Sequence, residues 1–261
     1  MTEKIEIVKE IAKKAGELLL RYYNQDYSID IKNDDPEDFV TEADKKSEEL
    51  IISELKRYFP EHGFLGEESF SGEKIDKDYV WVIDPMDNTK GFVKKNGDFS
   101  VQIGLCYQGK VVLGVVYLPA LDQMYYAEKS EGAFLNGEKI KVSSVSEIDK
   151  IKSMSSSRIL KDEGLKKLYE KVSCANELVG GAGKKICLVA QGKIELVIYK
   201  ANSAKEWDYC APGIILTEAG GKISLSDGSK VLFNRGREDY DLAIVASNGI
   251  VHEEVLEKLN G

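Results

Sequence analysis

The sequence predicts an α+β fold, and three observations carry that prediction. Apolar residues recur at helical spacing over 4–23 and again from Thr41 to about Tyr58. From Tyr79 the pattern changes to short β-prone runs bounded by turn residues. Beyond about residue 150, strand and helix patterns alternate.

In the first helix Val8, Ile11, Ala12, Ala15, Leu18, Leu19 and Tyr22 form one apolar face. Residues 24–38 are polar and acidic, with Asn33-Asp34-Asp35-Pro36, and read as a loop or short hairpin. Thr41-Glu42-Ala43-Asp44 has the spacing of a capping box and opens the second helix, which Pro60 and Gly63 close. A charged loop covers 71–78. Tyr79 to Ile83 is a strand, and Asp98–Tyr107 pairs with Lys110–Leu118 about Gln108-Gly109. Gln123–Glu128 follows, and Asn136-Gly137 marks a hairpin between 132–135 and 139–142. The second half reads as strand 151–155, helix 162–172, helix 183–191, strand 195–199, helix 208–219, strands 222–225 and 242–247, and a closing helix 250–259. The expectation is an antiparallel α+β half over 1–150 and an α/β half over 151–261. No Pro-, Gly- or Ser-rich linker parts them, so the site belongs between them.

At 261 residues with 43% hydrophobic content the chain can bury a sizeable core. Its formal net charge of −9 argues against binding a nucleic-acid polymer or an anionic membrane. The four cysteines include no CxxC pair, which argues against structural zinc, and three lie in apolar stretches as core residues. No N-terminal apolar leader and no 18-residue apolar span occurs, so the expected location is the reducing cytoplasm. The two histidines, His62 and His252, are expected at the surface. Chemistry built on imidazole is then improbable, and the work falls to carboxylates and hydroxyls.

The most telling stretch is Trp81-Val82-Ile83-Asp84-Pro85-Met86-Asp87-Asn88-Thr89-Lys90. An apolar strand ends in two acids, whose mutual repulsion and lost hydration a hard cation such as Mg²⁺ removes. The other reading is a turn in which an Asp caps the next element. Met86 can add its carbonyl oxygen. Glu67-Glu68 is a solvated loop or a ligand at the end of a short strand. Asp44 is a helix cap or the partner of another site residue such as Thr89. Asp208 stands where an N-cap would, and the same place lets its outer oxygen face a cation. Gly180-Gly181-Ala182-Gly183-Lys184-Lys185 lacks the GxxxxGK[ST] spacing. It is a plain helix entry, or small residues that let an anion approach a helix N-terminus.

Taken together, Asp38-Phe39-Val40-Thr41-Glu42-Ala43-Asp44, Gly66-Glu67-Glu68, Trp81 through Thr89, and Trp207-Asp208 with Glu218-Ala219-Gly220-Gly221 resemble the lithium-sensitive, Mg²⁺-dependent phosphatases of the inositol monophosphatase superfamily. The run Thr89-Lys90-Gly91-Phe92-Val93-Lys94-Lys95-Asn96-Gly97-Asp98-Phe99 and the Lys205-Glu206-Trp207-Asp208 segment look most like the 3′(2′),5′-bisphosphate nucleotidases. The resemblance implies a layered αβαβα sugar-phosphatase fold and two or three Mg²⁺ ions. Glu67, Asp84 and the Met86 carbonyl would hold one; Asp84, Asp87 and Asp208 a second; Glu67 and waters a weaker third. Asp44 and Thr89 would orient and activate the attacking water. Asp87, Asn88, Thr89, Lys90, Gly181, Ala182, Lys200 and Asp208 would meet the substrate. Asn88 stands where the family usually has glycine. The implied reaction removes the 3′-phosphate from adenosine 3′,5′-bisphosphate. Two alternatives stay open: inositol monophosphatase or fructose-1,6-bisphosphatase activity, and a catalytically weak sensor of metal or phosphate. The expected partner is a small phosphorylated substrate, and the expected state a monomer or homodimer.

Overall fold

A computed structural model describes residues 1–24, 29–31, 39–155, 163, 166, 169, 176–178, 180–203 and 205–260. Helix α1 (Glu3–Tyr23) is followed by an antiparallel ribbon of β1 (Ile29–Ile31) and β2 (Phe39–Thr41), then by α2 (Glu42–Tyr58). A seven-stranded sheet then forms from β3 (Gly63–Gly66), β4 (Tyr79–Asp87), β5 (Ser100–Tyr107), β6 (Lys110–Leu118), β7 (Gln123–Glu128), β8 (Gly132–Leu135) and β9 (Glu138–Ile140), in that spatial order. Its pairs are antiparallel except β3 with β4. The short α3 (Thr89–Val93) leaves the end of β4.

A second, five-stranded sheet is built from β10 (Ser153–Ser155), β11 (Asn176–Leu178), β12 (Leu196–Tyr199), β13 (Lys222–Leu225) and β14 (Ile244–Ser247), ordered β11-β10-β12-β14-β13. It is parallel across its first three strands and antiparallel at the other edge. Between its strands come α4 (Ala182–Ala190) and α5 (Glu206–Glu218), and α6 (His252–Asn260) closes the chain.

Strand alternation explains the layering. In β4, Trp81 and Ile83 face α1 and α2, packing with Ile5, Val8 and Ile11, while Val80 and Val82 face the other way. On that side lie α4 and α5, whose Ile186, Val189, Ile214 and Ile215 also meet Val197 and Ala246 of the second sheet. The opposite face of the second sheet, Leu196, Ile198 and Val245, packs on Val255 of α6. The order is αβαβα, as the resemblance implies. Each such side chain contributes on the order of 2 kcal/mol by leaving water. The middle helices therefore bond the two sheets into one body.

Several expectations need correction. α5 begins two residues earlier than predicted, so Asp208 is its third residue and Lys205 the N-cap. β11 was not foreseen. His252 is fully buried rather than on the surface: its Nε2 lies 2.8 Å from Ser224 Oγ and its Nδ1 2.8 Å from Ser247 Oγ. Burial lowers its pKa to about 4. His62 is half-buried, stacked between Phe59 and Tyr79 with centroids 5.2 and 5.0 Å away. Most of the helix expected over 162–172 lies outside the described residues, within which Glu163, Lys166 and Tyr169 are helical. Asn33 to Asp38 and Cys174 lie outside them too. The other three cysteines are buried, as expected.

Candidate metal centre

In a regular strand, residues three apart point to opposite faces. Asp84 pairs with Gln102 of β5, but Asp87 pairs with Ser100, so β4 carries one extra residue at Pro85-Met86. That bulge turns both carboxylates to one side. A proline suits it, having no N–H to lose from the ladder. The Met86 N–H instead donates to Asp84 Oδ1 at 3.0 Å. Asp84 and Asp87 are buried and Asp208 is half-buried, and one oxygen from each lies within 4.8 Å of the others.

Burial is the largest cause raising the pKa of all three acids. Asp84 is raised further by Glu67, Asp87 and Asp208, and Asp208 by Asp87. Glu67, half-buried after β3, stands outside the 4.8 Å group but is the leading charge acting on Asp84. Its N–H donates to Ile83 O at 3.1 Å, the residue before Asp84.

One face of α2 holds the surrounding segments. The Asp44 carboxylate caps its own helix through Oδ2, accepting the Thr41 N–H at 2.7 Å and the Thr41 hydroxyl at 2.6 Å. Its other oxygen lies 3.1 Å from Thr89 Oγ1, which also sits 3.3 Å from Met86 O. Both sequence readings of Asp44 are thus realised at once. Ser47 Oγ donates to Pro85 O at 2.9 Å, inside the bulge, and Glu48 accepts the Glu68 N–H at 2.8 Å.

Gly181 and Ala182 were expected to face substrate. In the structure the anion at this helix entry is Asp87 itself: its oxygens accept the Ala182 N–H at 3.1 Å and the Gly183 N–H at 2.8 Å. A side chain at Gly181 would overlap the Asp87 carboxylate, so the close approach requires glycine. Lys184 pairs with Asp98 at 3.1 Å. Lys185 is buried, 5.1 Å from the Tyr199 ring centroid, and its charge steadies Asp87 and Asp208.

Asn88 adopts φ 67°, the left-handed conformation that Asn tolerates where glycine is usual. Its Oδ1 accepts the Gly91 N–H at 3.2 Å and its Nδ2 donates to Asp98 O, so the side chain closes the turn. Lys90 is half-buried in the first turn of α3. Lys200 is exposed after the buried Tyr199.

Sequence reasoning missed Ser47, Glu48, Ser100 and Gln102, and read Gly183 and Lys185 only as part of a helix entry open to an anion. Gln102 Nε2 donates to Asp84 Oδ2 at 3.3 Å, and Ser100 Oγ to Asp87 Oδ2 at 3.4 Å. Two polar residues spaced i, i+2 in an otherwise apolar strand were the signal for that pair. Glu48, one turn beyond Asp44 on an otherwise inward face, gave another.

The donor set fits a hard divalent cation. Three carboxylates converge, two of them fully buried, and like charges this close are stable only when a cation or protons neutralise them.

The inositol monophosphatase family profile matches residues 1–260. The chain belongs to the inositol monophosphatase family. It is 33% identical to inositol monophosphatase 1 of Homo sapiens, covering 95% of this chain and 91% of that one. It is 29% identical to a fructose-1,6-bisphosphatase/inositol-1-monophosphatase of Thermotoga maritima, covering 99% and 96%. Among solved structures, an IMPase of Thermotoga maritima superposes with TM-score 0.85 at 28% identity, covering 99% and 97%. An IMPase/NADP phosphatase complexed with NADP and Ca²⁺ superposes with TM-score 0.84 at 25% identity, covering 98% and 94%. The protein is a phosphatase of this family, and no described helix is long and apolar enough to cross a membrane.

Proposed function

We propose that the protein is a Mg²⁺-dependent phosphomonoesterase acting on inositol monophosphate and on fructose 1,6-bisphosphate. The observation that carries the chemistry is the convergence of Asp84, Asp87 and Asp208 within 4.8 Å, beside Thr89 held by Asp44. Relatives named for those two substrates support the specificity.

Asp84, Asp87 and Asp208, with Glu67 and the Met86 carbonyl, would hold the ions. When bound, divalent cations supply Lewis acidity and charge neutralisation at the phosphoryl group. The Thr89 hydroxyl donates to Asp44, which leaves its oxygen lone pairs to accept a proton from water. Water aligned on Thr89 forms the new P–O bond as its proton moves toward Asp44. The P–O ester bond breaks, the leaving oxygen takes its proton from a solvent water, and the proton on Asp44 returns to solvent. Asp44 is fixed for this by the Thr41 cap, so its Oδ1 at Thr89 needs no reordering.

A second reading is a nucleoside 3′,5′-bisphosphate as substrate. The Thr89–Phe99 run and the Lys205–Asp208 segment, which look like those of the bisphosphate nucleotidases, favour it. Phosphate release from inositol 1-phosphate, fructose 1,6-bisphosphate and adenosine 3′,5′-bisphosphate, each with Mg²⁺ and with EDTA, tests both. Turnover of the first two above the third supports the main reading, and the reverse order overturns it. No release from any of them leaves the sensor alternative.

A further inference from the structure

We infer that Glu48 is a positioning residue for the metal centre, fixing the Gly66–Ser69 backbone and thereby the reach of Glu67 toward Asp84. The inference rests on the metal-dependent phosphatase reading above and extends it to a residue with no contact to substrate or reacting atoms.

Glu48 is 3% exposed, an unusual place for a carboxylate on a helix whose inward neighbours are Ile51 and Leu55. It receives its donors from a single turn. Oε2 accepts the Glu68 N–H at 2.8 Å; burial raises the pKa of this acid, and the hydroxyl and amide of Ser69 oppose that rise. The turn is pressed against it. A Cβ at Gly66 would stand 2.6 Å from both carboxylate oxygens, so only glycine lets the backbone pass this close. Glu67 lies between two pinned peptides. Its own N–H is tied to Ile83 O at 3.1 Å and the next N–H to Glu48. With both peptides fixed, the backbone of Glu67 is held beside the end of β4, and its charge is the first after burial to act on Asp84.

A buried carboxylate costs several kcal/mol unless donors surround it. The donors here all belong to the segment that carries Glu67. An apolar residue at position 48 would pack against Ile51 without that cost but could not order the turn. A glutamine there would offer one acceptor and turn its NH₂ toward N–H groups that need an acceptor.

The test is metal binding measured without substrate. Free Mn²⁺ is followed by electron paramagnetic resonance during titration of wild type, Glu48→Gln and Ser69→Ala, alongside melting temperatures in EDTA and the Mg²⁺ dependence of turnover. Orienting partners of metal ligands typically change affinity about 10–100-fold. Glu48→Gln should raise the half-saturating Mn²⁺ concentration about tenfold or more, with a smaller loss in kcat at saturating Mg²⁺. Ser69→Ala should raise it about threefold, because one of several donors is lost. A lowered melting temperature with unchanged Mn²⁺ affinity overturns the inference, leaving Glu48 a purely structural acid. If Glu48→Gln does not fold, Ser69→Ala decides alone, and wild-type affinity there overturns it. A wild type that binds Mn²⁺ with these shifts but hydrolyses no phosphate ester sinks the phosphatase reading and leaves the positioning role standing. A wild type that binds no Mn²⁺ removes both.

Discussion

Asp44 and Asp208 hold the same position in two helices, the third residue of α2 and of α5. Each commits one oxygen to its helix N-terminus: Asp44 to the Thr41 N–H at 2.7 Å, Asp208 to the Lys205 N–H at 2.5 Å. The helix dipole favours both charges there. They part at the second oxygen. The second oxygen of Asp44 meets a donor, the Thr89 hydroxyl at 3.1 Å, whereas the Asp208 carboxylate brings an oxygen within 4.8 Å of one from Asp84 and one from Asp87. A cap is a means of fixing a carboxylate with one oxygen left over. Whether that oxygen becomes a proton acceptor or a metal ligand depends on what the remaining fold brings to it.

The largest expected effect is at Asp208. Asp208→Asn should lower Mg²⁺-dependent turnover at least ~10³-fold, about 4 kcal/mol of transition-state stabilisation. In EDTA at pH 8 its melting temperature should equal or exceed that of wild type, since a like charge has been removed and the amide oxygen can still cap. Saturating Mg²⁺, which should stabilise wild type by about 3 kcal/mol at a hundredfold excess over Kd, should no longer do so. Calorimetry with and without Mg²⁺ reads both, and near-normal turnover or a metal-free melting point well below wild type would break the contrast.

Asp44→Ala should behave the opposite way. Turnover should fall about 10²-fold or more through the lost proton acceptor, and stability by about 1 kcal/mol through the lost cap, while Mg²⁺ still raises the melting temperature. If only the melting temperature moves, Asp44 is a cap and the two acids do not differ as described.

The smallest effect sharpens the comparison by locating acid sensitivity elsewhere. His252 is held neutral by burial, with a pKa lowered to about 4 from its usual value near 6.5. Its contribution is therefore complete above about pH 6.5 and is lost as pH falls toward 4, because the unfolded chain takes up the proton first. From pH 7.5 to 5.5 the loss should be on the order of 1 kcal/mol. Denaturation midpoints of wild type and His252→Gln across that range check it. A wild-type pH slope that survives in His252→Gln would place the sensitivity in another group.

Local chemistry was legible in the sequence, and long-range chemistry was not. The Thr41–Asp44 box, the two acids around Pro85 and the left-handed tolerance of Asn88 all lie within a few residues and could be read directly. Asp208 was read as an N-cap because lysine at 205 gives no capping signal, yet the helix begins there and Asp208 caps it from the third position by accepting the Lys205 N–H. Glu48 escaped, and the anion expected at the Ala182–Gly183 helix entry was not traced to Asp87, because the partners lie far along the chain, 95 and 96 residues away for the amides that hold Asp87. His252 looked like a surface residue because the two serines that satisfy its ring come from β13 and β14, which only the sheet brings together.

Gly104 and Gly114 are cross-strand partners lying directly beneath α5. A Cβ on Gly114 would come 2.5 Å from Ala211 O, and one on Gly104 would overlap Cys210 Sγ. The helix bearing Asp208 therefore rests on bare backbone, as near to the sheet as a helix can come. Mg²⁺ accepts oxygens only at about 2.0–2.1 Å, while Ca²⁺ takes them at about 2.3–2.6 Å. A single methyl at either glycine would press on α5, and the spacing of Asp208 from Asp84 and Asp87, on which the proposed Mg²⁺ site depends, would change with it. Where the third acid stands is thus set by two residues that have no side chain.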